Sequence, residues 1–350
     1  MSKRKIYSLS YFLGRAFFLG FGYSVILSIT NKDSWICFTI GTLLGLILVY
    51  GISKIKEKMQ EENLKDYLKK NKFLKYLILT LFFLFNLFIM SQLLFILETF
   101  AASYFLIHSP TFFILIPIIY LIYRITNKSW STIGRIGEIF MPISFIIVIA
   151  SICMLFPYGT IDKFFPIMTQ EISDMIRCTL FYAFYSSAPF LLLLNAPMKE
   201  PKLVRKYLLS TITILLIGIL IISVLGPNLI QIYRYPEYMI LKKIKIFEFL
   251  EKIENFISIT WILDVFMTLA ISGNNIRHTL PKKKNKLLFL TILTLLYFLV
   301  IYLGEIYYIE LQVYFILPII LGIFEITIMF LLYCYHFITK NKTKNITNQN

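Results

Sequence analysis

Acidic residues are scarce in this chain: 19 Asp and Glu stand against 35 Lys and Arg. Charged residues of both signs make up only 15% of it, while hydrophobic residues make up 58% and the mean hydropathy is +0.75. A water-soluble globular domain could not hide so much apolar surface, so the chain is read as living in lipid. Histidine is rarer still. His108, His278 and His336 are the three, and none has a ligand partner at metal spacing. The four cysteines, Cys37, Cys153, Cys178 and Cys334, fall in or beside apolar runs without the close spacing of a metal site or disulfide framework, so they read as packing residues. No metal and no cofactor are expected. A nucleophile-base-acid set, a phosphate loop and a paired-carboxylate site are also missing in recognisable form, so the chain is not expected to be an enzyme.

What it has instead is long apolar runs of the length that crosses a hydrocarbon core. They lie at 7–29, 35–54, 77–104, 111–126, 136–157, 173–195, 207–227, 256–275, 286–304 and 312–337, about ten in all. The first follows Lys3, Arg4 and Lys5 but is too long for a cleavable signal and lacks a small-residue cleavage site, so it is expected to remain as helix one. Lys and Arg concentrate at the N-terminus, in every second connection and in the C-terminal tail, which by the positive-inside rule puts both termini in the cytoplasm. The basicity therefore needs no nucleic acid. In the stretch Lys54 to Lys75, Glu57, Glu61, Glu62 and Asp66 interleave with the lysines, as in a solvated amphipathic connector; contact with anionic headgroups is the alternative.

Ten runs divide into two halves of five with opposite topology, an arrangement of many secondary transporters. The fold expected is an all-α polytopic membrane protein with a five-plus-five inverted repeat. The whole of 1–350 is one transmembrane domain, with repeats at 1–157 and 173–337 and a cytoplasmic tail at 338–350. The corresponding first helices of the halves both carry interruptions. Helix one has Gly20 and Gly22 near its middle; helix six has Tyr185, Ser186, Ser187 and Ala188 followed by Pro189, which lacks an amide donor and clashes with the preceding turn.

Broken helices at membrane depth leave backbone amides and carbonyls without helical partners, and such groups commonly bind ligands. The half-helix starting near Tyr23 would offer free amides to a carboxylate, and the one ending near Ser186 would offer carbonyls to an ammonium group. Together they suit a zwitterion. The candidate ligand site is Gly20, Phe21, Gly22, Tyr23 and Ser24 with Phe184, Tyr185, Ser186 and Ser187, and Phe17 is a further candidate wall. Close helix packing through glycine and an ordinary proline kink are the competing reading.

Charges inside spans cost a few kcal/mol unless paired or hydrated. Glu138 lies one turn from Arg135, where a structural ion pair is expected. Glu98 either lines an outer vestibule or pairs across helices. Asp264 and Glu325 lie near the middle of helices eight and ten and read either as a proton or cation relay or as static partners of Arg15 or a polar neighbour. Arg15 precedes the glycine break by about five residues, roughly 7.5 Å of helix rise, and is placed to serve an inner gate. The connection Pro227 to Asn255 is amphipathic, with Ile244, Phe247, Leu250, Ile253 and Ile257 at threes and fours; that face would bury against the bundle, lie in the interface or meet a partner subunit.

Several segments together carry a resemblance. These are Gly20-Phe21-Gly22-Tyr23-Ser24, Lys32-Asp33-Ser34-Trp35-Ile36, Gly41-Thr42-Leu43-Leu44-Gly45, Ser109-Pro110-Thr111 and Gly134-Arg135-Ile136-Gly137-Glu138-Ile139. Phe165-Pro166, Tyr233-Arg234-Tyr235-Pro236, the stretch Phe247 to Glu254 and Trp261 follow in order. The chain resembles the permease subunit of spore germinant receptors, the GerAB/GerKB-like spore germination permease family, over nearly its whole length. The resemblance implies the amino acid-polyamine-organocation (APC) transporter superfamily and its LeuT-like fold. It also implies a spore inner-membrane receptor with a larger membrane subunit and a lipoprotein subunit, sensing small nutrients such as amino acids. One departure is in helix six, where many relatives carry an acidic residue and this chain has Phe184-Tyr185-Ser186-Ser187. That leaves ligand identity and cation coupling open. The alternative function is a stand-alone proton- or sodium-coupled amino acid or amine transporter in the cell membrane.

Overall fold

A computed structural model of the protein describes residues 1–18, 22–59, 62–107, 109–198, 201–244, 253–280, 288–296, 298–299 and 313–347. In chain order the helices are α1 Lys3–Arg15, α2 Tyr23–Thr30, α3 Ser34–Met59, α4 Leu64–Tyr67, α5 Lys72–Tyr104, α6 Thr111–Thr126 and α7 Trp130–Leu155. They continue with α8 Ile172–Ser187, α9 Leu203–Leu225, α10 Pro227–Ile232, α11 Pro236–Leu241, α12 Ile253–Thr279, α13 at 288–296 and α14 Val313–Thr347. Side chains start several of them: Ser2 caps α1, Asn71 caps α5 and Ser129 caps α7, each accepting from an amide three residues on. No strand occurs among the described residues. Seven described helical stretches are long and apolar enough to cross a membrane, with a shorter apolar helix at Phe113–Thr126. The protein is a polytopic helical membrane protein. Run one does not form a single rod because it is split between α1 and α2, and run nine is described only in part.

Helix pairings repeat between the two halves. α3 packs along α8 as α1 packs along α9; α1 lies on α7 as α8 lies on α14; α12 meets α7 as α14 meets α5. Numbered by apolar run, each pairing has its counterpart five runs away, and α3 with α9 and α5 with α12 join equivalent helices across the halves. This is the contact scheme of a five-plus-five repeat. The seam of α3 with α8 and α9 needs two glycines: a Cβ on Gly41 would lie 2.9 Å from the Thr179 carbonyl oxygen of α8, and one on Gly45 would lie 2.0 Å from the Tyr207 hydroxyl of α9. Small residues four apart let helices approach where burial of apolar surface supplies no drive between them.

Connections sort onto two ends of the bundle. At one end the Met1 amino group donates to Pro197 O (2.9 Å), Lys5 Nζ to Ser131 Oγ (2.8 Å), Lys56 Nζ to Leu194 O (2.7 Å) and Arg277 Nη1 to Thr126 O (3.1 Å). The connections after runs two, four, six and eight thus gather beside residue 1, and these are the lysine- and arginine-rich ones. At the other end Lys163 Nζ donates to Ser223 O (3.0 Å) and Val224 O (2.8 Å), and Lys243 Nζ also reaches Val224 O (3.2 Å). Two cations therefore close the carbonyl end of α9, where the helix dipole favours them. Burial, and the charge of Lys243, hold the Lys163 pKa below the ordinary lysine value.

At that same end Asp33, fully buried, accepts from the amides of Met168 (2.9 Å), Thr169 (2.8 Å) and Gln170 (3.3 Å) and from Thr169 Oγ1 (3.0 Å). Met168 has φ 59°, a conformation side chains with a Cβ seldom adopt, and its amide is one of those held. Asp33→Ala would strand three loop amides. A destabilisation of about 3 kcal/mol or more is expected, read as a lower thermal unfolding midpoint in nanodiscs, with Asp33→Asn intermediate.

The amphipathic connection after α9 folds onto the bundle. Tyr235 and Tyr238 pack into an aromatic cluster with Phe100, Tyr104 and Trp261. Ile244 and Ile257 are buried, whereas Phe247 and Leu250 lie outside the described residues, as does His108. α14 continues to Thr347, well into the stretch read as a tail. Glu138 accepts from Ser2 Oγ at 3.1 Å, which ties α7 to the start of α1.

Candidate functional site

The break in helix one lies between α1, which ends at Arg15, and α2, which begins at Tyr23. Leu19, Gly20 and Phe21 lie outside the described residues, and with them two members of the expected site. On either side the geometry is defined. The Gly22 amide donates to Phe17 O at 3.0 Å, a reach of five residues that widens the turn. A Cβ on Gly22 would stand 2.8 Å from Phe18 Cδ1 and 3.0 Å from the Phe17 carbonyl oxygen, so a side chain here requires the Phe18 ring and the turn to shift. Gly22 is also the N-cap of α2 and offers no capping side chain, which leaves the first amides of that half-helix free of a side-chain partner.

Helix six breaks where Pro189 predicts. The α-helix ends at Ser187, and Ala188–Asn195 continues as a 3-10 helix with the proline in its first turn. Successive residues of an α-helix point about 100° apart, so Phe184 to Ser187 cannot share one face. Tyr185 alone of the four is stacked on helix one, its ring 4.8 Å from that of Phe17 at an interplanar angle of 5°. Phe184 packs on Gly322, where a Cβ would come within 2.6 Å of its ring. Ser186 Oγ hydrogen-bonds the Tyr207 hydroxyl at 2.8 Å, and Ser187 Oγ donates to Glu325 Oε2 at 2.8 Å.

Around the Phe17 and Tyr185 pair the walls are aromatic and buried. Phe181 stands edge-on to Tyr185 at 4.6 Å, Phe18 lies 4.6 Å from Tyr182, and Phe38 lies 5.4 Å from Tyr182 and 5.8 Å from Tyr23. Tyr23 turns its hydroxyl to α9 and donates to Ile214 O at 2.6 Å, while Ser24 is half-buried.

Just beyond the break, Arg15 and Asp264 form an ion pair between α1 and α12. Arg15 Nε and Nη2 each lie 3.1 Å from Asp264 Oδ2, with the two side chains 1% and 0% exposed. Arg15 Nη1 donates to the Tyr11 hydroxyl, and its guanidinium also sits 4.6 Å from the Tyr11 ring centre. Glu98 is half-buried on α5. Of the charged residues read as gate or relay, Arg15 and Asp264 meet each other and Glu325 meets the end of α8.

The sequence matches the family model described as "Spore germination protein" over residues 9–309. The chain belongs to this spore germination permease family. A relative of this permease is a Bacillus subtilis (strain 168) protein named "Putative spore germination protein YfkT". It is 23% identical, with 69% of this chain and 68% of the relative covered.

Sequence reasoning missed several residues that line the junction of the two breaks in this permease. Phe181 and Tyr182 precede Tyr185 on the same helix, and their spacing of four and three is the signal that could have found them. Phe18 and Phe38 were hidden among 33 phenylalanines.

Proposed function

We propose that this spore germination permease is the ligand-sensing subunit of a germinant receptor. It binds a small amino-acid-like nutrient where its two broken helices meet and signals through a larger membrane subunit and a lipoprotein subunit. The observation that carries the reading is the stacked Phe17 and Tyr185 pair, which joins the break of helix one to the break of helix six. The N-terminal end of α2, which has no capping side chain, suits a carboxylate, and the C-terminal end of α8 suits an ammonium group, so a zwitterion satisfies both. The basic connections gathered at the end of residue 1 support cytoplasmic termini, and membership of the family supports the spore inner membrane. The role is recognition, not catalysis.

Spores that rely on this receptor should germinate in response to an amino acid. Tyr185→Leu should raise the concentration needed by about tenfold or more, since it removes the ring that joins the two breaks. In proteoliposomes with an imposed proton or sodium gradient, uptake should be no faster than in empty vesicles. Gradient-driven accumulation of the same amino acid would overturn the sensing role in favour of a stand-alone transporter.

A further inference from the structure

A cavity of about 610 Å3 lies beside the broken helices, between α5, α13 and α14, and Tyr185 forms part of its wall. Its lining is mostly hydrocarbon and ring, including Phe88, Phe95, Leu296, Leu317 and Phe324, with polar groups only on Ser91, Gln92 and Tyr185. Leu84, Leu295 and Leu299 also line it and are exposed on the flank of the bundle, the surface that faces the bilayer. The cavity therefore has a mouth toward lipid.

Gln92 is 5% exposed, and neither its Nε2 nor its Oε1 has a hydrogen-bond partner among the described residues. Leaving a primary amide unsatisfied in an apolar setting costs about 1–3 kcal/mol. The adjacent Ser91 does not relieve it, since its hydroxyl donates to Phe88 O at 2.8 Å. Depth narrows what could. Gln92 lies about 18 Å of helix rise from Tyr104 and about 30 Å from Lys72, so both ends of α5 are remote. A phospholipid keeps its polar groups near the interface and would bring only the ends of its acyl chains here. A single bridging water would leave most of the apolar volume of about 610 Å3 unfilled.

We infer that this cavity is a second ligand site, taking from the bilayer an uncharged, mainly apolar molecule whose single polar group both donates to and accepts from Gln92. A medium-chain primary amide fits: its carboxamide pairs with the Gln92 carboxamide through two hydrogen bonds while its chain fills the apolar remainder. The site is separate from the junction of the broken helices and has Tyr185 in common with it.

The probe is radiolabelled octanamide, titrated onto the full-length protein in nanodiscs with empty nanodiscs as the measure of bilayer partitioning. Wild-type protein should show a saturable component, and Gln92→Leu should weaken it by tenfold or more. Leu295→Trp, at the mouth, should also weaken it. Gln92→Leu exchanges an unpaired amide for an apolar side chain in apolar surroundings, so its thermal midpoint should equal or exceed that of the wild type. Absence of saturable binding to the wild type, or equal affinity in Gln92→Leu, would overturn the site. A midpoint in Gln92→Leu well below the wild type would overturn it too, by showing that the amide is already satisfied.

Discussion

Arg15→Met is expected to lower stability by about 3–5 kcal/mol, the cost of leaving one member of a buried ion pair without the other. Asp264 is 0% exposed and its Oδ2 takes both contacts from the guanidinium, so removing Arg15 leaves a carboxylate with no compensating charge near the centre of α12. Tyr11 loses its partner as well. Asp264→Leu alone should be comparably damaging, because a buried guanidinium is then uncompensated. The double change Arg15→Met with Asp264→Leu should recover most of the loss, since exchanging both charges for apolar groups of similar size is often neutral. Thermal unfolding of the four proteins in nanodiscs gives the coupling directly. Additive losses in the double variant would show that the two side chains do not depend on each other.

Gly22→Val is expected to abolish the response to nutrient while leaving the bundle assembled. The added Cβ would meet the Phe18 ring at 2.8 Å and the Phe17 carbonyl oxygen at 3.0 Å. The ring can rotate away; the carbonyl belongs to the backbone and moves only with the turn. Shifting that turn displaces Phe17 from Tyr185 and changes where the first amides of α2 point. A loss of at least a hundredfold in nutrient sensitivity is expected, because the contacts of one ligand depend on both half-helices at once. Far-ultraviolet circular dichroism should match the wild type, since the remaining helices are not touched. A germination dose response within threefold of the wild type would remove Gly22 from the site.

The two breaks were legible because glycine and proline act on the backbone itself, and their effect does not depend on tertiary neighbours. Pro189 ends α8 two residues before it, as a ring without an amide must. Helix ends were less legible. α5 starts at Lys72 and α7 at Trp130, ahead of the apolar runs at 77 and 136, because helices continue into the interface where polar residues are welcome. The direction of each side chain could not be read at all from a contiguous string: Phe184, Ser186 and Ser187 flank Tyr185 in sequence but face Gly322, Tyr207 and Glu325. The pairing of Arg15 with Asp264 spans 249 positions and was one of two readings of those charges. Sequence marks both as expensive in a membrane without choosing the partner. Gln92 is the converse case, a neutral residue whose cost becomes visible only once its surroundings are known.

The most direct measurement is a titration of purified wild-type protein and Gly22→Val in nanodiscs with single amino acids, followed by the thermal unfolding midpoint. A site at the junction of the broken helices should give the wild type a saturable rise with at least one zwitterionic amino acid. The rise should vanish with the matching amino acid amide, which lacks the carboxylate, and in Gly22→Val. An equal rise in Gly22→Val, or no rise in the wild type with any amino acid, would contradict it.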